Sequence, residues 1–138
     1  MGYTTTDQVI ITGAHTVFDP ADSTPYFFGL LGGSVPSGSD IYAIPISVKG
    51  SIRAAVVRID IGTVGTNEAS TLAIRLNATT DYTISAAVAY DTKPQTISVT
   101  NLNIPVNIGD FISFKLTTPA WATNPLQLRQ VVSITIEC

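Results

Sequence analysis

GDFISFKLTTPAWATNPLQLRQVVSITIEC, residues 109–138, reads as strand, proline-bracketed loop and strand. Ile112, Phe114 and Leu116 fall on one face of the first strand and Ser113 and Lys115 on the other. Val132, Ile134 and Ile136 alternate in the same way against Ser133, Thr135 and Glu137. This period of two marks a half-buried antiparallel strand. Pro119 and Pro125 bias Thr118 and Asn124 toward extended backbone, which predicts a stiff loop that holds Trp121, the sole tryptophan, in a fixed place. These features point to a rigid all-β domain and bring no catalytic chemistry with them.

Working outward, composition agrees. Val, Ile and Thr make up about a third of the 138 residues, a strong bias toward strands. Charged residues are 12% of the chain and apolar residues 45%, so Thr, Ser, Asn, Gln and some apolar side chains must clad the outside. A charge-poor surface of that kind suits a subunit of an assembly, because charge is depleted at the centre of interfaces. The net charge is −3, and the seven basic residues are scattered singly, so no basic patch for nucleic acid shows. No apolar run approaches the length of a membrane span, and Met1-Gly2-Tyr3-Thr4 begins no signal peptide. Membrane insertion and nucleic-acid binding are therefore not expected. Cys138, the single cysteine, has no partner for an intrachain disulfide.

Along the chain, short alternating segments are separated by turn signals. Gln8 to Thr12 is the first strand candidate. It is followed by a loop containing Asp19-Pro20 and Ser23-Thr24-Pro25, then by the aromatic-glycine segment Tyr26-Phe27-Phe28-Gly29-Leu30-Leu31-Gly32-Gly33. That segment requires cover from the chain's own core or from a neighbouring subunit. Ile44, Ile46 and Val48 share a side, and Pro45 favours an edge position. Between Ile52 and Ile61 the apolar phase slips by one residue, which predicts a β-bulge near Val56-Val57. Residues 72–76, 84–90 and 97–108 alternate in turn. The expected fold is a single-domain antiparallel β-sandwich, jelly-roll-like, of about eight to ten strands. Residues 1–24 are expected to form an N-terminal attachment arm and residues 25–138 the sandwich. Val9, Ile10 and Ile11 would be the anchoring residues of the arm, and removal of residues 1–15 would then leave the fold intact.

The search for catalytic or metal chemistry assigns no residues and implies no cofactor. His15 is the sole histidine and sits in a presumed loop, where a solvated side chain is the simpler reading. The chain has no Gly-x-Ser-x-Gly elbow, no His/Cys cluster and no phosphate-binding glycine loop. Glu68 is read as a turn cap rather than a calcium ligand. Asn77-Ala78-Thr79 matches a glycosylation acceptor but is short enough to arise by chance. Trp121 has two readings: packed at the end of the sandwich or at a subunit boundary, or exposed as a platform for a sugar ring.

Gly109-Asp110-Phe111 and Thr118-Pro119-Ala120-Trp121-Ala122-Thr123-Asn124-Pro125 together resemble a group of small β-rich virion proteins of tailed bacteriophages. In that group a Gly-Asp strand start precedes a Pro-x-Trp-x-Thr-Asn-Pro loop and a last strand. Tyr26-Phe27-Phe28-Gly29, Gly65-Thr66-Asn67-Glu68 and Ile74-Arg75-Leu76-Asn77 extend the resemblance over most of the chain from about Pro25. It implies a non-enzymatic structural protein on the particle surface, either capsid decoration or a tail-fibre or receptor-binding head. A jelly-roll trimer would contact sister copies and capsid or tail components. Trp121, Thr123, Asn124, Tyr26 and Phe28 are the candidate contacts, to a partner copy or to a host-surface glycan. The alternative is a carbohydrate-binding module with Trp121 as its platform.

Overall fold

A computed structural model of the chain describes residues 7–29, 36, 38–39 and 41–138. Met1 to Thr6, and Leu30 to Gly33 of the aromatic-glycine segment, lie outside the described residues. Ten strands follow in order: β1 (Gln8–Ala14), β2 (Pro25–Phe28), β3 (Ile44–Pro45), β4 (Gly50–Thr63), β5 (Ser70–Leu76), β6 (Thr80–Val88), β7 (Gln95–Val99), β8 (Ile104–Val106), β9 (Phe111–Thr117) and β10 (Leu126–Glu137). One sheet runs β1-β10-β4-β7, with β8 also on β4. The other runs β2-β9-β5-β6, with β3 also on β9. Every pairing is antiparallel. Counting β2 with β3, and β7 with β8, as interrupted single strands leaves two four-stranded sheets in jelly-roll order.

The two strands read first from sequence are each the second strand of a sheet, where burial is greatest. Ile112, Phe114 and Leu116 of β9 face Leu128, Val132, Ile134 and Ile136 of β10 across the sandwich, all fully buried. Ile52, Val57 and Ile59 of β4 and Leu72 and Ile74 of β5 complete the centre. Phe28 is covered by this same core, with its ring 5.5 Å from that of Phe114. Gly13 on β1 allows that packing, because a β-carbon there would collide with the Phe114 ring and the Gly29 carbonyl oxygen.

The phase slip in β4 is real but lies earlier than expected. The register shifts between Ile52↔Ile136 and Ala54↔Thr135, which places the bulge at Arg53–Ala54 rather than at Val56-Val57. Ala55, Val57, Ile59 and Ile61 then point inward and Val56 outward. On its other edge β4 changes partner at the same place, pairing with β8 through Ile52 and with β7 from Ala55. The Arg53 carbonyl accepts the Leu102 N–H (3.0 Å) in the gap between them. Alternation alone does not distinguish Ala54 from Ala55 as the inward residue, because both are small and apolar.

The boundary expected at residue 24 falls inside the sandwich. β1 pairs with β10 over its whole length, from Gln8↔Glu137 to Ala14↔Val131, and Cys138 N–H donates to the Asp7 carbonyl (2.9 Å). Val9 and Ile11 pack against the core, and only Ile10 is turned outward, 68% exposed. Residues 8–14 are thus an edge strand of the domain, not a detachable arm.

Candidate functional site: the tryptophan loop and the outer face of the first sheet

The loop between β9 and β10 is clamped from two sides. Trp121 is 5% exposed, with its ring 6.1 Å from that of Tyr90. Its Nε1–H donates to the Glu68 carbonyl (3.2 Å), and its backbone N–H donates to the Asp22 carboxylate (3.3 Å). The Glu68 carboxylate accepts the Ala122 N–H and the Thr66 hydroxyl (3.0 Å). The Thr66 hydroxyl and that N–H hold the Glu68 carboxyl below the usual carboxylate range. Thr66 N–H donates to the Thr123 carbonyl (3.0 Å), and Thr123 N–H returns a bond to the Thr66 hydroxyl (3.1 Å). Asn124 donates from Nδ2 to the Pro20 carbonyl (3.1 Å). Glu68 is therefore a cap, as its setting in the sequence suggested, but it caps a loop distant in the chain.

A ring stacked on a sugar must be open on one face. Trp121 is not, so it is not a platform; it is a plug at the end of the sandwich. Three of the other candidate contacts, Phe28, Tyr26 and Asn124, are similarly committed. Phe28 is 1% exposed. Tyr26 is half-buried, its hydroxyl accepts the Ala21 N–H (2.8 Å), and its ring meets that of Phe18 edge-on at 5.0 Å. Asn124 spends its amide on the Pro20 carbonyl, whereas Thr123 is held through its backbone and its side chain is exposed. Trp121, Thr123 and Asn124 lie together in the loop, whereas Tyr26 and Phe28 belong to the aromatic group around His15 and Phe18.

His15 is no solvated loop residue. It is 2% exposed and lies between Phe18 and Phe28, with ring centroids 5.1 and 4.8 Å away, both edge-on. Nδ1 lies 2.7 Å from the Thr16 carbonyl and Nε2 lies 3.3 Å from the Gln130 amide, which reaches the Tyr90 hydroxyl at 2.8 Å. A neutral ring donating from Nδ1 leaves Nε2 as an acceptor. Gln130 faces it with Oε1 and donates from Nε2 to the Tyr90 hydroxyl; turning that amide over would give His15 Nε2 an N–H donor and let the amide oxygen take the Tyr90 O–H. Burial pushes the His15 pKa below 6.5, and burial pushes that of the Tyr90 phenol up. This buried row runs from His15 through Gln130 to Tyr90, and so to Trp121. Nothing in the local sequence signals it, because Gln130 and His15 are 115 residues apart.

The outer face of the β1-β10-β4-β7 sheet is unlike the rest of the surface. Register places Thr12, Ser133, Val56 and Ser98 in one row, and Ile10, Thr135 and Ala54 in the next. Charge is confined to its ends: Arg58 pairs with Asp60 (3.0 Å) at one and Arg53 with Glu137 (3.3 Å) at the other. Among the described residues, no three or more His, Cys, Asp or Glu side chains gather in a metal-binding group.

No family model matches the chain, and no curated protein does. Among solved structures it is similar to FLHE, at 8% identity and TM-score 0.49 over 98% of this chain and 100% of that one. It is also similar to Eiger TNF from S. frugiperda, at 10% identity and TM-score 0.44 over 94% of this chain and 92% of that one. A family 35 carbohydrate-binding module from Clostridium thermocellum follows, at 11% identity and TM-score 0.36 over 91% and 97% of the two chains. These likenesses carry no functional argument for this chain.

Proposed function

We propose that the chain is a non-enzymatic structural protein of a bacteriophage particle surface, acting as a homotrimer in capsid decoration or as a fibre or receptor-binding head. The observation that carries the self-assembling part is the outer face of the first sheet, where Ile10, Val56, Ala54, Thr12, Ser133, Thr135 and Ser98 form an uncharged surface between two ion pairs. Water is displaced from such a surface at little cost in buried charge, which suits a contact between copies. A contact between the β1 side of one copy and the β7–β8 side of the next is heterologous and closes into a ring when the rotation permits. The particle location rests on the sequence resemblance centred on the Trp121 loop. The clamping of that loop supports a scaffold role, in which a fixed framework presents surfaces to capsid or tail proteins.

The test is to probe purified particles for the chain and to measure its native mass. A homotrimer associated with particles is expected. A monomer absent from particles would overturn the proposal.

A second reading, carbohydrate binding, loses Trp121 as its platform. It retains support from a groove at the charged end of the same sheet face.

A further inference from the structure

A groove of about 420 Å³ opens at that end, lined by Val17, Asp60, Ile61, Gly62, Gln127 and Arg129. Its construction starts from backbone geometry. Gln127 has φ +56°, a left-handed conformation that costs free energy for a residue with a β-carbon and that clusters at functional sites. The Asp19 carboxylate holds it there by accepting the Gln127 N–H (2.8 Å). Gly62, unpaired in register between Leu126↔Thr63 and Leu128↔Ile61, makes room, because a β-carbon at 62 would strike the Gln127 side chain. The strained turn thus lays the Gln127 amide over Gly62 and into the groove.

Arg129 stands directly across the ladder from Asp60, but Asp60 is bonded to Arg58 through both carboxylate oxygens, at 3.0 and 3.4 Å. Among the described residues, the Arg129 guanidinium has no hydrogen bond or ion pair. Lys93 reaches the same segment, donating from Nζ to the Gly62 carbonyl (2.6 Å). Arg58, Lys93 and Arg129 are thus bonded to, or paired in register with, residues 60–62, where Asp60 and Asp19 are the carboxylates bonded, in a chain whose net charge is −3. A guanidinium fork with open donors fits a planar carboxylate in bidentate fashion. The Gln127 amide both donates and accepts, the Asp60 carboxylate accepts, and Val17, 54% exposed, gives an apolar wall. Neighbouring donors and acceptors around one cation suit a polyhydroxylated acid better than a peptide terminus, which needs an apolar pocket for its last side chain.

We propose that this groove binds a carboxylate-bearing sugar, with Arg129 on the carboxylate and Gln127 and Asp60 on hydroxyls. The proposal deepens the carbohydrate-binding reading and is independent of particle location, so its failure leaves the native-mass and particle tests untouched.

The experiment is a titration of the full chain, followed by amide NMR, with sodium galacturonate, galactose and a short N-acetylated peptide bearing a free C-terminus. Galacturonate should give saturable shifts confined to the segments around Val17, Asp60–Gly62 and Gln127–Arg129, and galactose should bind at least about tenfold more weakly, since a charge-assisted bidentate pair is lost. R129Q should weaken galacturonate binding by a similar factor. Gln127→Gly should weaken it while leaving the melting temperature unchanged or higher, because glycine relieves the positive φ. Four results would each overturn the assignment: no saturation by galacturonate, equal binding of galactose, equal binding of the peptide, or full binding by R129Q.

Discussion

Replacing Trp121 with alanine tests the plug directly, and the structure sets the size of the effect. The side chain is 5% exposed, so nearly its whole surface is removed from water. A buried tryptophan hides roughly 150–250 Å², which at about 25 cal/mol per Å² is about 4–6 kcal/mol of transfer free energy. Measured Trp-to-Ala losses in cores run about 3–5 kcal/mol. The Glu68 carbonyl also loses its indole donor, although water entering the opened loop end offsets part of that cost. The expected loss is about 3–5 kcal/mol, or a fall in melting temperature of roughly 10–20 °C for a chain of this size. Trp121→Phe keeps the contact with Tyr90 and loses only the Nε1–H bond and some area, so about 1–2 kcal/mol is expected. Because Trp121 is the sole tryptophan, fluorescence reports on this site alone. Native emission should be blue-shifted relative to the unfolded chain and poorly quenched by acrylamide. A red-shifted, readily quenched native signal, or a Trp121→Ala variant that melts with the wild type, would refute the packing argument.

Three further outcomes are expected. His15 is held neutral by burial, so above its unfolded-state pKa of about 6.5 both states are uncharged. As pH falls through that value, the unfolded chain takes up a proton that the folded chain resists. Urea midpoints should therefore drop between about pH 7.5 and 5.5 in wild type, and that slope should flatten in His15→Leu. The Glu68 carboxyl is depressed in the folded state, so its contribution is present above the unfolded value near 4.3 and is lost as pH falls through the folded one. Glu68→Gln should lower the melting temperature and loosen Trp121 toward acrylamide at neutral pH, with the gap to wild type closing in acid. Deleting residues 1–14 strips β1 from β10 and uncovers the flank that the partly buried Val9 and Ile11 close, each contributing less than the roughly 1.5–3 kcal/mol of a fully buried side chain. The truncated chain should be largely unfolded by circular dichroism, and native-like melting would show that β1 is dispensable.

Much of the fold was legible because single-face burial leaves a period of two. β9 carries it through Ile112, Phe114 and Leu116, β10 through Val132, Ile134 and Ile136, and β5 through Leu72, Ile74 and Leu76, while the inward Gln130 and outward Val131 break it in β10. Where a strand has two partners on one edge, the signal blurs. β4 contains runs of alanine and valine near its bulge, and these do not say which residue turns inward. The role of residues 8–14 was misread because Val9, Ile10 and Ile11 form a continuous apolar run whose alternation appears only once β10 lies beside them. The outer faces were also partly misread: Ser113, opposite the core side of β9, is 1% exposed. Trp121 was legible as fixed, since the prolines that bracket it restrict the chain. Its partners were not, because Glu68, Asp22 and Tyr90 come from three distant segments. The Gln127 turn had no signal beyond Gly62 as its neighbour across the ladder, which only the register supplies.

The most direct test of the account is native mass measured for the wild type and for Val56→Asp, with the two compared by circular dichroism. Val56 is 44% exposed at the middle of the uncharged face, so a carboxylate there leaves the core untouched but must be desolvated when copies meet through that face. The account predicts a trimer for the wild type and a folded monomer for the variant. A wild-type chain that stays monomeric at every concentration, or a trimer unaffected by the substitution, would contradict it.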